Sequence, residues 1–119
     1  MLKRFLGKGQ SSLEVSTLGL GCMGMSHQYG KADETDSLAV INRALELGIN
    51  FLDSSDSYGP FINEELISKV LKTKREQIII ATKFGQQFLS DGTRKINGTP
   101  DYVKQACDAS LKRLGVETI

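Results

Sequence analysis

Three glycines near the N-terminus have the spacing of a nucleotide-binding loop. Gly19, Gly21 and Gly24 form G-x-G-x-x-G within the stretch L-G-L-G-C-M-G-M-S. In a Rossmann fold such glycines let the backbone approach a pyrophosphate, but the loop must lead at once into a helix whose N–H groups face the phosphates. Helical periodicity begins here only near residues 33–35. A Rossmann loop is therefore the weaker interpretation of this spacing.

Side chains capable of proton chemistry follow two of the predicted strands. Asp53 ends the stretch N-F-L-D, Tyr58 comes five residues later, and Lys83 lies at the C-terminal end of the strand I-I-I-A-T-K-F-G. Parallel strands bring their C-terminal ends to one edge of a sheet, so the carboxylate, the phenol and the amine are expected to converge there. The alternative is that they are polar rim residues of an ordinary α/β sheet. Asp56 is expected to be a loop carboxylate rather than a second acid.

The elements that would position these residues alternate between strand and helix. A β-hairpin is predicted first, from residues 3–6 and 13–17 around the turn-prone G-K-G-Q-S-S. Three strand–helix pairs follow, which predicts a parallel sheet, either doubly wound or a (β/α)8 barrel. The predicted strands are residues 18–23, 50–53 and 78–85, and the helices begin near residue 34, at Asn63 as N-cap and at Thr99 as N-cap before Pro100.

Composition places the chain among ordinary globular proteins. It has 119 residues, 39% of them hydrophobic and 24% charged, with a formal net charge of +1. This balance gives no reason to expect a nucleic-acid or membrane partner, and a cytoplasmic location is expected. Cys22 and Cys107 lie far apart and His27 is the single histidine, so neither a disulfide framework nor a metal site is predicted. Both cysteines are expected to pack in the core.

Five motifs of the chain resemble the N-terminal part of aldo-keto reductases. In chain order they are L-G-L-G-C-M-G-M-S, G-I-N-F-L-D-S-S-D-S-Y-G, N-E-E-L-I, A-T-K-F-G and A-S-L-K-R-L-G. The resemblance runs through nearly the whole chain. It implies that residues 1–119 are a partial TIM-barrel domain, an N-terminal β-hairpin plus three βα units of an incomplete α/β (β/α)8 barrel. It also implies NADPH as hydride donor and the reduction of aldehyde or ketone carbonyls to alcohols.

The resemblance further assigns roles to single residues. It makes Tyr58 the proton donor, Lys83 its partner and Asp53 the carboxylate that pairs with the lysine. These types suit the chemistry, because a phenol with a pKa of about 10 is a poor acid at neutral pH and a neighbouring ammonium lowers that pKa. The cofactor contacts of the family that have counterparts here are Gly21, Cys22, Met23 and Asp53.

The sequence stops short of the family's complete pattern. Its last residues, V-E-T-I, stand where the fourth barrel strand and the family's catalytic histidine should follow. His27 follows the first strand instead and is expected to be a loop residue or a contributor to the pocket rim. Two hypotheses remain open. The chain is the N-terminal portion of an NADPH-dependent reductase, or it is a non-catalytic remnant or split piece that needs a complementary C-terminal chain to fold.

Overall fold

The computed structural model describes residues 1–27 and 29–119 and contains three small sheets and three α-helices. The central sheet is parallel, with its strands in the order in which they occur along the chain. Its strands are β3 (Leu20–Gly21), β4 (Phe51–Asp53) and β5 (Ile79–Ala81), and the helices are α1 (Glu34–Glu46), α2 (Ile62–Lys74) and α3 (Pro100–Leu114). The predicted succession of three strand–helix pairs is therefore present.

The helices cover one face of the central sheet. Leu52 and Ile80 point to that face and are buried against apolar residues of the helices, among them Ile41, Ile67 and Leu114. Their neighbours on the strands, such as Phe51 and Ile79, are only half-buried. Parallel sheets are normally covered on both faces, so the opposite face of this sheet is the open one. The sheet is unclosed, as an incomplete barrel requires.

Two antiparallel hairpins flank this unit. The first, β1 (Lys3–Leu6) with β2 (Leu13–Ser16), is the predicted one. The second, β6 (Gln86–Phe88) with β7 (Arg94–Ile96), lies between β5 and α3 and was not predicted. Its strands are mostly exposed and rich in polar residues, so they lack the apolar alternation by which a strand is recognised.

The first parallel strand is shorter than predicted. Instead of spanning residues 18–23, it covers Leu20–Gly21, and a 3₁₀ turn over Met23–Ser26 follows it. The nearest α-helix begins at Glu34, after Asp33, whose carboxylate accepts a hydrogen bond from the N–H of Asp36 at 3.0 Å. The glycine motif thus leads into no α-helix. A Cβ on Gly19 would lie 2.9 Å from the Phe51 ring, which gives this glycine a packing role.

The two other helix starts differ from the prediction in detail. Asn63 was expected to cap α2, but Phe61 occupies the N-cap with a left-handed φ of 71°, and Asn63 lies buried inside the first turn. The prediction failed because the Asn63 amide binds other elements rather than its own helix. Thr99 and Pro100 do begin α3, although the Thr99 hydroxyl donates to Asn97 Oδ1 and accepts no capping hydrogen bond from a helix N–H. None of the helices in residues 1–27 and 29–119 is long and apolar enough to span a bilayer.

Candidate active site

The strand register brings the predicted chemical groups to one edge of the central sheet. Asp53 is the last residue of β4 and is paired with Gly21 of β3 on one side and Ala81 of β5 on the other. Lys83 follows two residues after Ala81, and Tyr58 lies on the loop between β4 and α2. All of them lie at the C-terminal ends of the strands, where the active sites of parallel α/β folds are found.

The Lys83 ammonium connects the three groups. Its Nζ donates to Asp53 Oδ2 at 2.7 Å and to the Tyr58 hydroxyl oxygen at 3.4 Å. The third donation is to the carbonyl oxygen of Ser54 at 2.9 Å, and the nitrogen lies 5.2 Å from the centroid of the Tyr58 ring. Since an ammonium has three N–H groups, each now has a partner. The Lys83 and Asp53 side chains are 50% and 40% exposed, so the group is open to a ligand.

Electrostatics keep Lys83 protonated. Partial burial lowers the pKa of its ammonium, but the hydrogen bonds and charges of Asp53 and Tyr58 raise that pKa more, and the net shift is upward from the ordinary value. Lysine ordinarily titrates at about 10.4. At neutral pH the site therefore presents a fixed cation next to a phenol hydroxyl, an arrangement able to stabilise a phenolate.

The loop that carries Tyr58 is held by its own backbone and short polar side chains. The N–H of Tyr58 donates to Ser55 O at 3.2 Å, and the N–H of Asn63 donates to Tyr58 O at 3.2 Å. Gly59 has a φ of 84°, and a Cβ there would lie 2.7 Å from Ile62. Only glycine fits that position without strain. The tyrosine thus lies on a tightly constrained turn rather than on a free loop.

The residues expected to contact a cofactor differ in what they can offer. Gly21 is exposed, and a Cβ built on it would meet nothing within 4 Å, so the edge beside Asp53 is open at this point. Met23 is half-buried. The Cys22 side chain is fully buried and burial raises the pKa of its thiol to about 12, while its N–H donates to Asp53 O. The residue as a whole is 0% exposed, so Cys22 presents neither side chain nor backbone to a ligand in this structure.

The exposure of three residues did not follow from the sequence. Asp56 lies on the loop between β4 and α2, as expected, but it is buried. Among the described residues its Oδ1 has no hydrogen-bond partner, and burial followed by the Glu64 charge raises the pKa of its carboxyl group. Glu64 lies in the first turn of α2 and is fully buried. Cys107 was expected in the core but is exposed. In each case the sequence pattern predicted whether the residue lies on a helix or a loop, but not whether a neighbouring element covers its side chain.

His27 does not join the Lys83 group. It is exposed, has a left-handed φ of 64°, and its Nδ1 accepts a hydrogen bond from the N–H of Ala32 at 3.1 Å. It lines a cavity of about 190 Å³ together with Leu66 and Lys69 of α2, a cavity that none of the residues Asp53, Tyr58 and Lys83 lines. The structure thus places this histidine on a loop, as one of the two expectations had it.

Comparison with known proteins gives a consistent result. A family model described as the aldo/keto reductase family matches residues 17–119. The chain is similar to the solved structure of aldo-keto reductase AKR11C1 from Bacillus halodurans in its holo form, with 40% identity and a TM-score of 0.85 over 100% of this chain. It is also similar to a putative aldo-keto reductase from Pseudomonas aeruginosa (30% identity, TM-score 0.81, 97% of this chain). A third similar structure is glycerol dehydrogenase AKR11B4 from Gluconobacter oxydans (26% identity, TM-score 0.80, 98% of this chain).

The match covers only part of those structures. The chain spans 38%, 44% and 36% of their respective lengths. Together with the unclosed parallel sheet, this confirms the expected fold class, an incomplete (β/α)8 barrel.

Proposed function

Because this chain belongs to the aldo/keto reductase family, we propose that it supplies the proton-donating half of an active site that reduces aldehyde or ketone carbonyls with NADPH. The observation that carries the proposal is the Lys83 ammonium, which lies 2.7 Å from Asp53 Oδ2 and 3.4 Å from the Tyr58 hydroxyl at the C-terminal edge of a parallel sheet. The two free cysteines fit a reducing compartment such as the cytoplasm.

The three side chains suit the protonation step of a carbonyl reduction. When bound, NADPH supplies the hydride. The Tyr58 hydroxyl gives its proton to the carbonyl oxygen as negative charge develops there, which is general acid catalysis. The phenolate that remains is stabilised by the Lys83 ammonium, since opposite charges within a few ångströms favour the ionised form. Asp53 holds the ammonium in place through the 2.7 Å bond and keeps it charged.

The edge beside Asp53 suits a cofactor. Gly21 leaves space there that any side chain would reduce, and the Asp53 carboxylate is 40% exposed with only its Oδ2 bound to Lys83. An exposed carboxylate oxygen can accept hydrogen bonds from ribose hydroxyls or a carboxamide. We therefore assign Gly21, Met23 and Asp53 to the cofactor side of the site, while the buried Cys22 supports it through the hydrogen bond from its N–H to Asp53 O.

A tyrosine substitution tests the proposal directly. Tyr58→Phe keeps the ring and removes the transferable proton, so kcat with a reactive aromatic aldehyde should fall by about 10²-fold to 10⁴-fold. The assay uses the full-length product of the gene. Where that product is short, the assay uses a chimera in which residues 1–119 are followed by the corresponding C-terminal part of the Bacillus halodurans aldo-keto reductase.

The matched control is Tyr102→Phe, which removes a phenol hydroxyl from α3. Tyr102 lines a groove with Phe61 and Phe88 and has no part in the Lys83 group. Its variant should keep the parent's turnover. If Tyr58→Phe turned over within a few-fold of the parent, Tyr58 would not be the proton donor and the proposal would fail.

The open edge of the sheet favours a second candidate. Among the described residues β5 is an edge strand, and next to it Phe84, Val103 and Cys107 line an apolar groove of about 220 Å³. Unpaired strand edges and apolar faces are normally covered by further polypeptide. The chain would then act only after pairing with a complementary C-terminal half. Co-expression with that half of the Bacillus halodurans structure tests this idea: co-purification supports it, and independent elution of the two chains contradicts it.

A further inference from the structure

Two neighbouring polar residues at the start of α2 have fully buried side chains. Asn63 and Glu64 are each 0% exposed. Burying a carboxylate or an amide is unfavourable unless partners replace the lost water. Successive helix residues point about 100° apart, so the two side chains reach different parts of the molecule. Their hydrogen-bond partners therefore show which segments of the chain are attached to the first turn of α2.

Asn63 binds the segments that follow β3 and β4. Its Nδ2 donates to Cys22 O at 2.8 Å and to Ser26 Oγ at 2.7 Å. Its Oδ1 accepts a hydrogen bond from Ser54 Oγ at 2.7 Å. Ser54 is the residue whose carbonyl oxygen accepts a hydrogen bond from the Lys83 ammonium. The Asn63 amide thus fixes one of the three acceptors that orient this ammonium.

Glu64 binds the segment that follows β5. Its Oε1 accepts a hydrogen bond from Thr82 Oγ1 at 2.7 Å, and its Oε2 accepts one from Arg113 Nε of α3 at 2.6 Å. Arg113 is 17% exposed, so this ion pair is mostly removed from water. Thr82 immediately precedes Lys83 in the chain. The Glu64 carboxylate thus holds the backbone from which the catalytic ammonium extends.

We propose that Asn63 and Glu64 are positioning residues that set the distance from the Lys83 ammonium to Asp53 and Tyr58. The inference rests on the proposed reductase function. Neither side chain touches the reacting atoms. One fixes the Ser54 acceptor and the other fixes Thr82, so a single helical turn sets both ends of the Lys83 side chain. A displacement of about 1 Å in such a group can lower turnover by about 10²-fold.

Thr82 provides the sharpest test, because it can lose its hydroxyl without losing its shape. Thr82→Val removes the donor to Glu64 and leaves the Glu64–Arg113 pair in place, whereas Thr82→Ser keeps the donor. The expected result is a kcat about 10²-fold lower for Thr82→Val with the dissociation constant for NADPH unchanged, and a kcat near the parent's for Thr82→Ser. Glu64→Gln removes the charge that pairs with Arg113 but can still bind the Thr82 hydroxyl, so its kcat should fall less than that of Thr82→Val, and the exposed neighbour Glu65→Gln should behave like the parent.

A second measurement follows the ammonium without turnover. Competitive acetylation of Lys83, read by mass spectrometry from about pH 8 to pH 12, reports its titration. Thr82→Val and Glu64→Gln should lower the pKa of Lys83 toward the ordinary value, because the bonds to Asp53 and Tyr58 lengthen. A folded Thr82→Val variant with parental titration and parental kcat would overturn the proposal, and Glu64 would then have a structural role alone.

The two measurements separate this proposal from the proposed reductase function. If Glu64→Gln does not fold, comparing Thr82→Val with Thr82→Ser still tests whether the Glu64–Thr82 hydrogen bond positions Lys83. If the parent has no reductase activity, the proposed function fails, while the acetylation profiles still show whether Glu64 and Thr82 position Lys83. If the parent is active and Tyr58→Phe is not, but Thr82→Val matches the parent in both measurements, the positioning role alone fails.

Discussion

At the scale of single residues, Lys83 is the group on which the other two depend. Lys83→Met should lower kcat by about 10²-fold to 10⁴-fold, because the phenolate loses its cation, and Lys83→Arg should recover part of the activity. Steady-state kinetics with a reactive aldehyde measures both. Cofactor binding by fluorescence serves as the control, and a large loss of NADPH affinity in Lys83→Met would assign the lysine to binding rather than to proton transfer.

The same lysine contributes to stability in a way that depends on pH. Its pKa is raised in the folded state, so its stabilising contribution is fully present below the ordinary value and is lost as pH rises through the raised value. The Tm difference between the parent and Lys83→Met should therefore be constant near neutral pH and should shrink above about pH 10.4. The effect should be small, because the side chain is 50% exposed. Thermal unfolding of the full-length product or of the chimera at several pH values tests this, and a difference that grows with alkalinity would contradict it.

The charged Asp56 carboxylate should destabilise the folded state at neutral pH, whereas the Lys83 ammonium stabilises it. Burial and the Glu64 charge raise the pKa of its carboxyl group, while Arg113 and the hydrogen bonds of Ser55 and Ser57 lower it less. The folded state then binds the proton more tightly than the unfolded state, so stability falls as pH rises from the ordinary Asp value through the raised one. Asp56→Asn should raise Tm at pH 7, and the gain should shrink toward about pH 4. A lower Tm at pH 7 would mean that the Asp56 charge stabilises the fold.

At the scale of elements, the turn between β4 and α2 depends on Gly59. Its φ of 84° and the 2.7 Å approach to Ile62 make Gly59→Ala strained, by about 1–3 kcal/mol or more. The turn that carries Tyr58 should shift, so kcat and Tm should both fall. Gly98→Ala is the matched control, since a Cβ there meets nothing within 4 Å. Equal effects of the two substitutions would show that the Gly59 turn tolerates a side chain.

The sequence predicted that Asp53, Tyr58 and Lys83 converge, but not the hydrogen bonds that hold the segments carrying them. Asp53, Tyr58 and Lys83 were found because strand ends can be located from apolar runs, and parallel strands share one C-terminal edge. The partners of Asn63 and Glu64 could not be predicted, because hydrogen bonds to Ser54 and Thr82 depend on the crossing of distant elements. A helix-start pattern made Asn63 a cap, whereas the Asn63 and Glu64 side chains bind Ser54 and Thr82, which follow β4 and β5.

At the scale of the whole molecule, the open sheet should limit the stability of the 119-residue chain on its own. The strands β3 and β5 each have one unpaired edge within the described residues, and β4 is paired on both sides. Hydrogen exchange should therefore be fast at β3 and β5, slower at β4, and the chain should show no cooperative thermal transition. A monodisperse monomer with a sharp transition would contradict this expectation. Binding of NADPH to the isolated chain should be negligible.

The different exposure of the Cys22 and Cys107 thiols allows the covering of the sheet edge to be followed by fluorescence. Cys22 is buried and its thiol pKa is raised to about 12, so it stays a protonated, unreactive thiol at neutral pH, whereas Cys107 is exposed. A maleimide dye should therefore attach to Cys107 before Cys22, without any cysteine having to be removed. Because Cys107 lines the groove next to β5, the emission of that dye should change when further polypeptide covers the edge of the sheet.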